Sequence, residues 1–426
     1  MRATHSFSLL LLCCLTACGG EVEELPEPSE APSSLVYKSD RVEEDWAQTL
    51  RRAIEFGGLE SARSILELHL EELGVEAELL SARLLTAEGA DLDAQRAIER
   101  ARRAAPDDVR VPSTASEMHS AYGRSQSALD EIKRAYELGG ARPEIYRAQG
   151  VYFLSQAGRA REGLELLVRA REMDPTLPFL DRATAQAHLL LAKESLGKND
   201  LNGAMKAVEQ AYQLDPEEFE TRRLLSDVLL AQKRVEDALV VMEDLYADGY
   251  RVLGELATLE KQAAFVKLLR SEREEALDLF LRARSHGLSE AHLGSGAQML
   301  LDAAALALEE GVKAYEGAEF ERARERFERA VELDPGSLSA RNHLGVVCYQ
   351  AEDDEAAIQQ WSEVWSLALA EGLNLPEPVE VNLARAYVRS GALGEAERVL
   401  RESLERSPKG PHSGLVQQHL DVISSE

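Results

Sequence analysis

Few residues in this 426-residue chain are placed to do chemistry. Its nine histidines are scattered. His286 and His292 stand six apart, and His412 and His419 seven apart, with no carboxylate or thiol at ligand spacing. Such rings are surface or packing groups rather than metal ligands. The sequence has no H-E-x-x-H zinc helix, no phosphate-cradling G-x-x-x-x-G-K-[ST] and no G-x-S-x-G nucleophile turn. Neighbouring carboxylates such as Glu309-Glu310 and Asp353-Asp354 read as wet helix ends and loops, without the converging walls that general acid–base work needs. No catalytic residue, metal or cofactor is therefore assigned.

One thiol is different. Arg2 gives a thin positive start, and Phe7 to Leu15 form an apolar segment too short to span a bilayer. The segment ends in Leu15-Thr16-Ala17-Cys18, which resembles a bacterial lipobox, where small residues precede a Cys whose thiol takes a diacylglycerol. Cys13 and Cys14 follow larger residues and fit less well. The competing reading is an ordinary secretory signal with an incidental Cys. Residues 1–17 are thus expected to be a lipoprotein signal peptide and Cys18 the lipidated residue. Gly19, in place of Asp, points by analogy with enteric bacteria to the outer membrane. An anchor with several acyl chains holds stably. Residues 18–40 then make an acidic, Pro-rich tether with little apolar surface, expected to be disordered and to span roughly 25–70 Å.

The rest of the chain is organised by repetition. In Ala318–Pro335, Phe320, Ala323, Phe327, Ala330 and Val331 draw one apolar stripe down a helix that Pro335 and Gly336 stop. The same pattern returns with a period centred on 34, as in Ala94 to Ala128 and Ala204 to Ala238. Ten small positions align: Ala62, Ala94, Ala128, Gly163, Ala204, Ala238, Ala276, Ala323, Ala357 and Ala396. Four residues on, every repeat is apolar: Leu66, Ile98, Ile132, Leu167, Val208, Met242, Phe280, Phe327, Trp361 and Leu400. A small residue lets a second helix approach closely, and the larger one fills the seam.

This pattern resembles the tetratricopeptide repeat (TPR) family, two antiparallel helices per repeat. Leu344, Gly345 and Cys348, with Cys where the family usually has Tyr, keep its first-helix spacing. Cys348 reads as core. The implied fold is all-α, a right-handed superhelix of ten helix-turn-helix repeats. Repeats 1–7 are expected over 41–290, a possible soft junction over 291–303 around Leu293-Gly294-Ser295-Gly296, repeats 8–10 over 304–411, and a capping helix over 412–426. The alternative for 291–303 is a surface loop in a continuous array. Repeat 3 is the least regular, with Pro112, Ser116 and His119 in its first helix.

The resemblance also implies that the first helices line a concave partner-binding face. At the corresponding positions stand nine basic residues (Arg51, Arg83, Arg110, Arg147, Lys193, Arg223, Lys261, Arg385 and Arg389) and eight acidic ones, against 48 basic and 76 acidic in the whole chain. A groove richer in Arg than the rest suits a ligand with carboxylates. Ion pairs within the groove are the competing reading. Charge reversal at Arg51, Arg83 and Arg147 together is expected to abolish partner binding. Tyr315 and Tyr349, with Val312 and Val346, add an apolar patch near the C-terminal end. The paired Lys and Asn of chaperone-binding TPR domains are not evident.

The net charge of −28 argues against nucleic acid and against adsorption to anionic lipid. The expected function is a non-enzymatic interaction scaffold, lipid-anchored in the periplasm. Lipoproteins of this build assist outer-membrane protein insertion, pilus secretin assembly or polysaccharide export, so partners among envelope proteins are what the resemblance implies. An adaptor that recruits envelope hydrolases is the alternative, and an enzyme with a site in the groove a third.

Overall fold

A computed structural model describes residues 45–371 and 378–424. The signal segment, Cys18 and most of the tether lie outside the described residues. Among those described there are 22 helices and no strand. Twenty of the helices form ten antiparallel pairs.

The chain divides into two compact units at Leu224/Leu225. The first holds α1 (Asp45–Glu55) with α2 (Leu59–Leu73), α3 (Val75–Ala87) with α4 (Asp91–Ala104), α5 (Arg110–Ala121) with α6 (Ser125–Gly139), α7 (Pro143–Leu154) with α8 (Ala160–Met173), and α9 (Leu180–Gly197) with α10 (Leu201–Leu214). The boundary falls inside α11 (Phe219–Ala231), which pairs with α12 (Val235–Ala247). The second unit continues with α13 (Leu253–Leu269) and α14 (Arg273–Ser285), a single turn α15 (Glu290–Leu293), α16 (Ser295–Glu316) with α17 (Phe320–Leu333), α18 (Leu338–Gln350) with α19 (Asp354–Glu371), α20 (Val379–Arg389) with α21 (Leu393–Arg406), and α22 (Ser413–Ile423).

The two sequence columns form the seam of every pair. All nine alanines of the small column have 0 % exposure and Gly163 is buried; the apolar column lies between 0 and 5 %. Burying these faces between neighbouring helices is what the array gains from its apolar stripes. Within most pairs a three-residue turn carries one residue in the left-handed region, Gly57 and Gly391 in some repeats but Asn199, Lys233, Ser271, Ala318 and Glu352 in others. At three of the junctions between pairs an Asp-Pro step ends the helix, at Asp174-Pro175, Asp215-Pro216 and Asp334-Pro335. The Asp174 carboxylate accepts from Thr176 N–H at 2.9 Å and that of Asp334 from Gly336 N–H at 3.0 Å, while the proline cannot continue the helix.

The irregular places resolve by simple physics. Pro112 is the third residue of α5, inside the first turn, where a missing N–H breaks no intrahelical bond. Three first helices are longer than the rest. α9 begins at Leu180, α13 at Leu253 and α16 at Ser295, because Leu180 and Ala183, Leu256, and Leu300 and Ala303 supply further buried positions at helical spacing. Over 291–303 the break is confined to Gly294, at φ 62°, between α15 and α16. Gly296, which also reads as a breaker, lies buried in α16, where a Cβ would stand 2.5 Å from the Phe280 ring. The compact-unit boundary lies elsewhere, at 224/225. α22 lays Val416, Leu420 and Ile423 against Val381, Ala384 and Leu400 of the last pair.

Candidate interaction surfaces

In the first unit, consecutive first helices touch side by side, α1 on α3, α3 on α5, α5 on α7 and α7 on α9. Side chains one repeat apart therefore meet. Arg83 from α3 and Arg147 from α7 hold Glu117 of α5 between them: Arg83 Nη1 lies 2.5 Å from Glu117 Oε2, and Arg147 Nε 2.9 Å from Oε1. Burial pushes the Glu117 carboxyl up, but the two guanidiniums outweigh it and hold the group below the usual glutamate range. Burial weakens the Arg83 charge even with Glu117 beside it. Arg51 is half-buried, 3.5 Å from Glu76 Oε1, whose other oxygen takes Arg110 at 2.8 Å.

The arginines that pattern alone assigned to a ligand thus already have carboxylates. A triple charge reversal at Arg51, Arg83 and Arg147 would strand Glu117 among like charges and report on folding as much as on binding.

The same face carries a segment that the repeat pattern did not mark as functional. Between α8 and α9, Phe179 takes the left-handed conformation (φ 61°) and turns Pro178–Arg182 onto the first repeats. Arg147 Nη1 donates to the Pro178 carbonyl at 2.6 Å, and the Arg83 guanidinium lies 4.3 Å from the Phe179 ring centroid. The Phe179 ring also packs against the cluster holding Leu50, Ile54 and Leu80. Arg182 reaches α1, its N–H donating to Glu55 Oε1 at 3.1 Å and its Nη1 to the Glu55 carbonyl at 2.6 Å. The Glu55 carboxylate thereby caps the N-terminus of α9 while the Arg182 cation meets the last carbonyls of α1. Burial pushes the Glu55 carboxyl above its ordinary range, only partly offset by the Arg182 N–H. The sequence signal for this arrangement is a junction between Pro175 and the start of α9 that is longer than those after Pro216 and Pro335.

The remaining assigned residues are dispersed. Lys193 Nζ on α9 is 3.4 Å from Glu220 Oε2, Arg223 is exposed on α11, and Lys261 on α13 donates to the His292 carbonyl at 2.9 Å. In the second unit Tyr315 and Tyr349 are half-buried on α16 and α18. The Tyr315 hydroxyl accepts from Gln350 at 2.6 Å, and its ring meets that of Phe320 edge-on at 5.7 Å. The Arg389 guanidinium stands 3.5 Å over the Tyr349 ring and also grips Asp354 at 2.6 and 2.8 Å. Arg385 is exposed and makes no ion pair with a described residue. Val312 and Val346, like the two tyrosines, pack partly buried against the core cluster that holds Phe327, Leu344 and Trp361. Cys348 is buried, its thiol pushed up by desolvation. Among the described residues no group of three or more His, Cys, Asp or Glu is placed to hold a metal ion, and no helix is long and apolar enough to cross a membrane.

Two models described as tetratricopeptide repeat match the chain, one over residues 195–250 and the other over 308–365. This is a tetratricopeptide-repeat protein. The second match covers the Gly345–Trp361 seam, and the ten helix pairs carry the same repeat throughout. Solved structures similar to the chain include a tetratricopeptide repeat protein from Parabacteroides merdae, 12% identical, with a TM-score of 0.30 over 60% of this chain and 97% of that one. The TPR domain of P58(IPK) is 16% identical, with a TM-score of 0.24 over 82% and 97%. The TPR2AB domain of yeast Sti1, solved with an Hsp90 peptide, is 10% identical, with a TM-score of 0.29 over 57% and 99%. No curated protein matched the sequence. The repeats of this tetratricopeptide-repeat protein mark a protein–protein interaction scaffold.

Proposed function

We propose that this protein is a lipid-anchored, non-enzymatic scaffold of the bacterial envelope, facing the periplasm, that binds peptide or helical segments of envelope proteins along its first-helix faces. The observation that carries the reading is the second unit's face, where Tyr315, Tyr349 and Arg385 stand on three first helices with part of their surface in solvent. Partly exposed tyrosines on a face that also carries cations, with Arg389 over the Tyr349 ring, are the composition of a protein-contact surface, since the rings bury area at low entropic cost and keep a polar edge. The Leu15-Thr16-Ala17-Cys18 motif supports the anchor, and Gly19 the outer membrane as its site. Assembly of an envelope complex is the role this combination fits best.

The test is a cross-linked pull-down of the lipidated protein from its own envelope, read by mass spectrometry, beside a Tyr315→Ala/Arg385→Glu variant. Capture of a pilus, secretin or insertion-machinery component by the native protein, lost in the variant, supports the proposal. A hydrolase in its place supports the adaptor role. Recovery of no specific partner by the native protein overturns the scaffold reading. Cys18→Ser is expected to move the protein from the membrane to the soluble fraction, and retention in the membrane would refute the lipid anchor.

A further inference from the structure

The Pro178–Arg182 segment is bound by the first unit as a ligand would be. Three features of the segment have a receiving group on another repeat: a guanidinium for the Pro178 carbonyl, a cationic face and an apolar wall for the Phe179 ring, and a carboxylate with a helix C-terminus for Arg182. Arg182 and Glu55 are 127 residues apart, so this is a contact across the face rather than between neighbouring repeats. The other repeat junctions that end in Asp-Pro, at Pro216 and Pro335, pass directly into the next helix pair, so the turn itself does not need the excursion. Its two recognition side chains are reachable from solvent, Arg182 being exposed and Phe179 half-buried, while Leu180 between them is buried in the first turn of α9. Phe179 is held at φ 61°, a conformation a phenylalanine leaves when its contacts release it. Beneath it Glu55 is buried, its carboxylate accepting from the backbone N–H groups of Phe179 and Arg182 and its carbonyl from the Arg182 side chain.

We propose that the first-helix face of repeats 1–4 is a peptide site whose resident occupant is the chain's own Pro178–Arg182 segment, and that the partner it fits is a peptide carrying a Pro-aromatic pair with a basic residue three positions after the aromatic. This rests on the scaffold reading but names the site and the ligand chemistry. Each group of such a peptide replaces its counterpart: carbonyl on Arg147, ring on Arg83, base on Glu55. The resident segment competes with the partner, so apparent affinity is reduced by the fraction of molecules in which the segment is displaced.

The test uses the full chain and a fluorescein-labelled peptide of residues 174–184, with binding followed by anisotropy. A Phe179→Ala/Arg182→Ala variant is expected to bind this peptide at least tenfold more tightly than the native chain. The same peptide with alanine in place of its phenylalanine should bind variant and native chain equally weakly. Equal binding of the native peptide by both folded proteins, or no discrimination between the two peptides, overturns the proposal. Should the variant not fold, hydrogen exchange on the native chain decides. Exchange of the Arg182 amide by local opening, faster than that of Ala148 within α7, supports a displaceable segment; exchange only with global unfolding overturns it. Envelope partners captured in the pull-down would survive failure of this peptide test, which separates the two proposals.

Discussion

Glu117 shows how one carboxylate changes the meaning of two arginines. A groove Arg reads as a ligand contact until the side chain one repeat away is placed beside it, and Arg83, Glu117 and Arg147 then become a structural bridge. Removing the centre of that bridge leaves two buried cations uncompensated. Glu117→Ala is expected to cost about 3–5 kcal/mol in urea unfolding. Because Glu117 titrates below its ordinary value in the native state, the stability it supplies is present above about pH 4.5 and disappears as pH falls through the lowered native value. Thermal melts of the native protein and Glu117→Gln should therefore converge on acidification below pH 4.5; a constant gap would refute the assignment. Glu55 has the opposite sign. Its raised value means that the native state holds its proton more tightly, so its contribution to stability falls as pH rises above about 4.5.

At the scale of the helix pair, closeness of approach decides. A Cβ on Gly345 would lie 2.7 Å from Trp361 Nε1, and one on Gly163 would lie 3.0 Å from the Gly150 carbonyl. The aromatic seam of the seventh to ninth repeats, Phe280, Phe327 and Trp361, is thus possible because the facing helices carry Gly296, Gly311 and Gly345. Trp361 uses the space to donate to the buried Asn342 at 2.9 Å. Gly345→Ala is expected to destabilise by about 1–3 kcal/mol through overpacking, visible as a lowered Tm. The reverse exchange acts in the other direction at the turn. Ala318 sits at φ 61°, so Ala318→Gly should stabilise by about 0.5–1 kcal/mol, relief of left-handed strain exceeding the entropy glycine adds to the unfolded chain. Alanine and glycine at the wrong one of these two positions are both costly, for unrelated reasons.

Across the whole molecule each repeat buries its stripe against its neighbours, and the final pair needs α22. Truncation after Pro411 exposes Val381, Ala384 and Leu400. The expected result is faster hydrogen exchange through α20 and α21 with little change in α1–α10; unchanged protection in the last pair would show that α22 is dispensable. The second unit's aromatic face and the first unit's occupied face also differ in kind. One presents Tyr315 and Tyr349 to solvent, whereas the other already holds Phe179.

Much of this was written in the order of residues. Alanine at one position and a large apolar residue four later, recurring near every 34 residues, define a seam that only a paired helix can bury, so the helical class, the pairing and the two core columns followed from periodicity. The proposed lipidation of Cys18 likewise rests on sequence alone, because a lipobox is a pattern read along the chain. The partners of the groove residues were not legible in this way. Which carboxylate meets Arg83, and that residues 178–182 cross the face to reach Glu55 127 positions away, depend on how successive helices stack and on where an extra turn of helix begins. Helical periodicity specifies the face a residue occupies; only tertiary packing decides what stands opposite it.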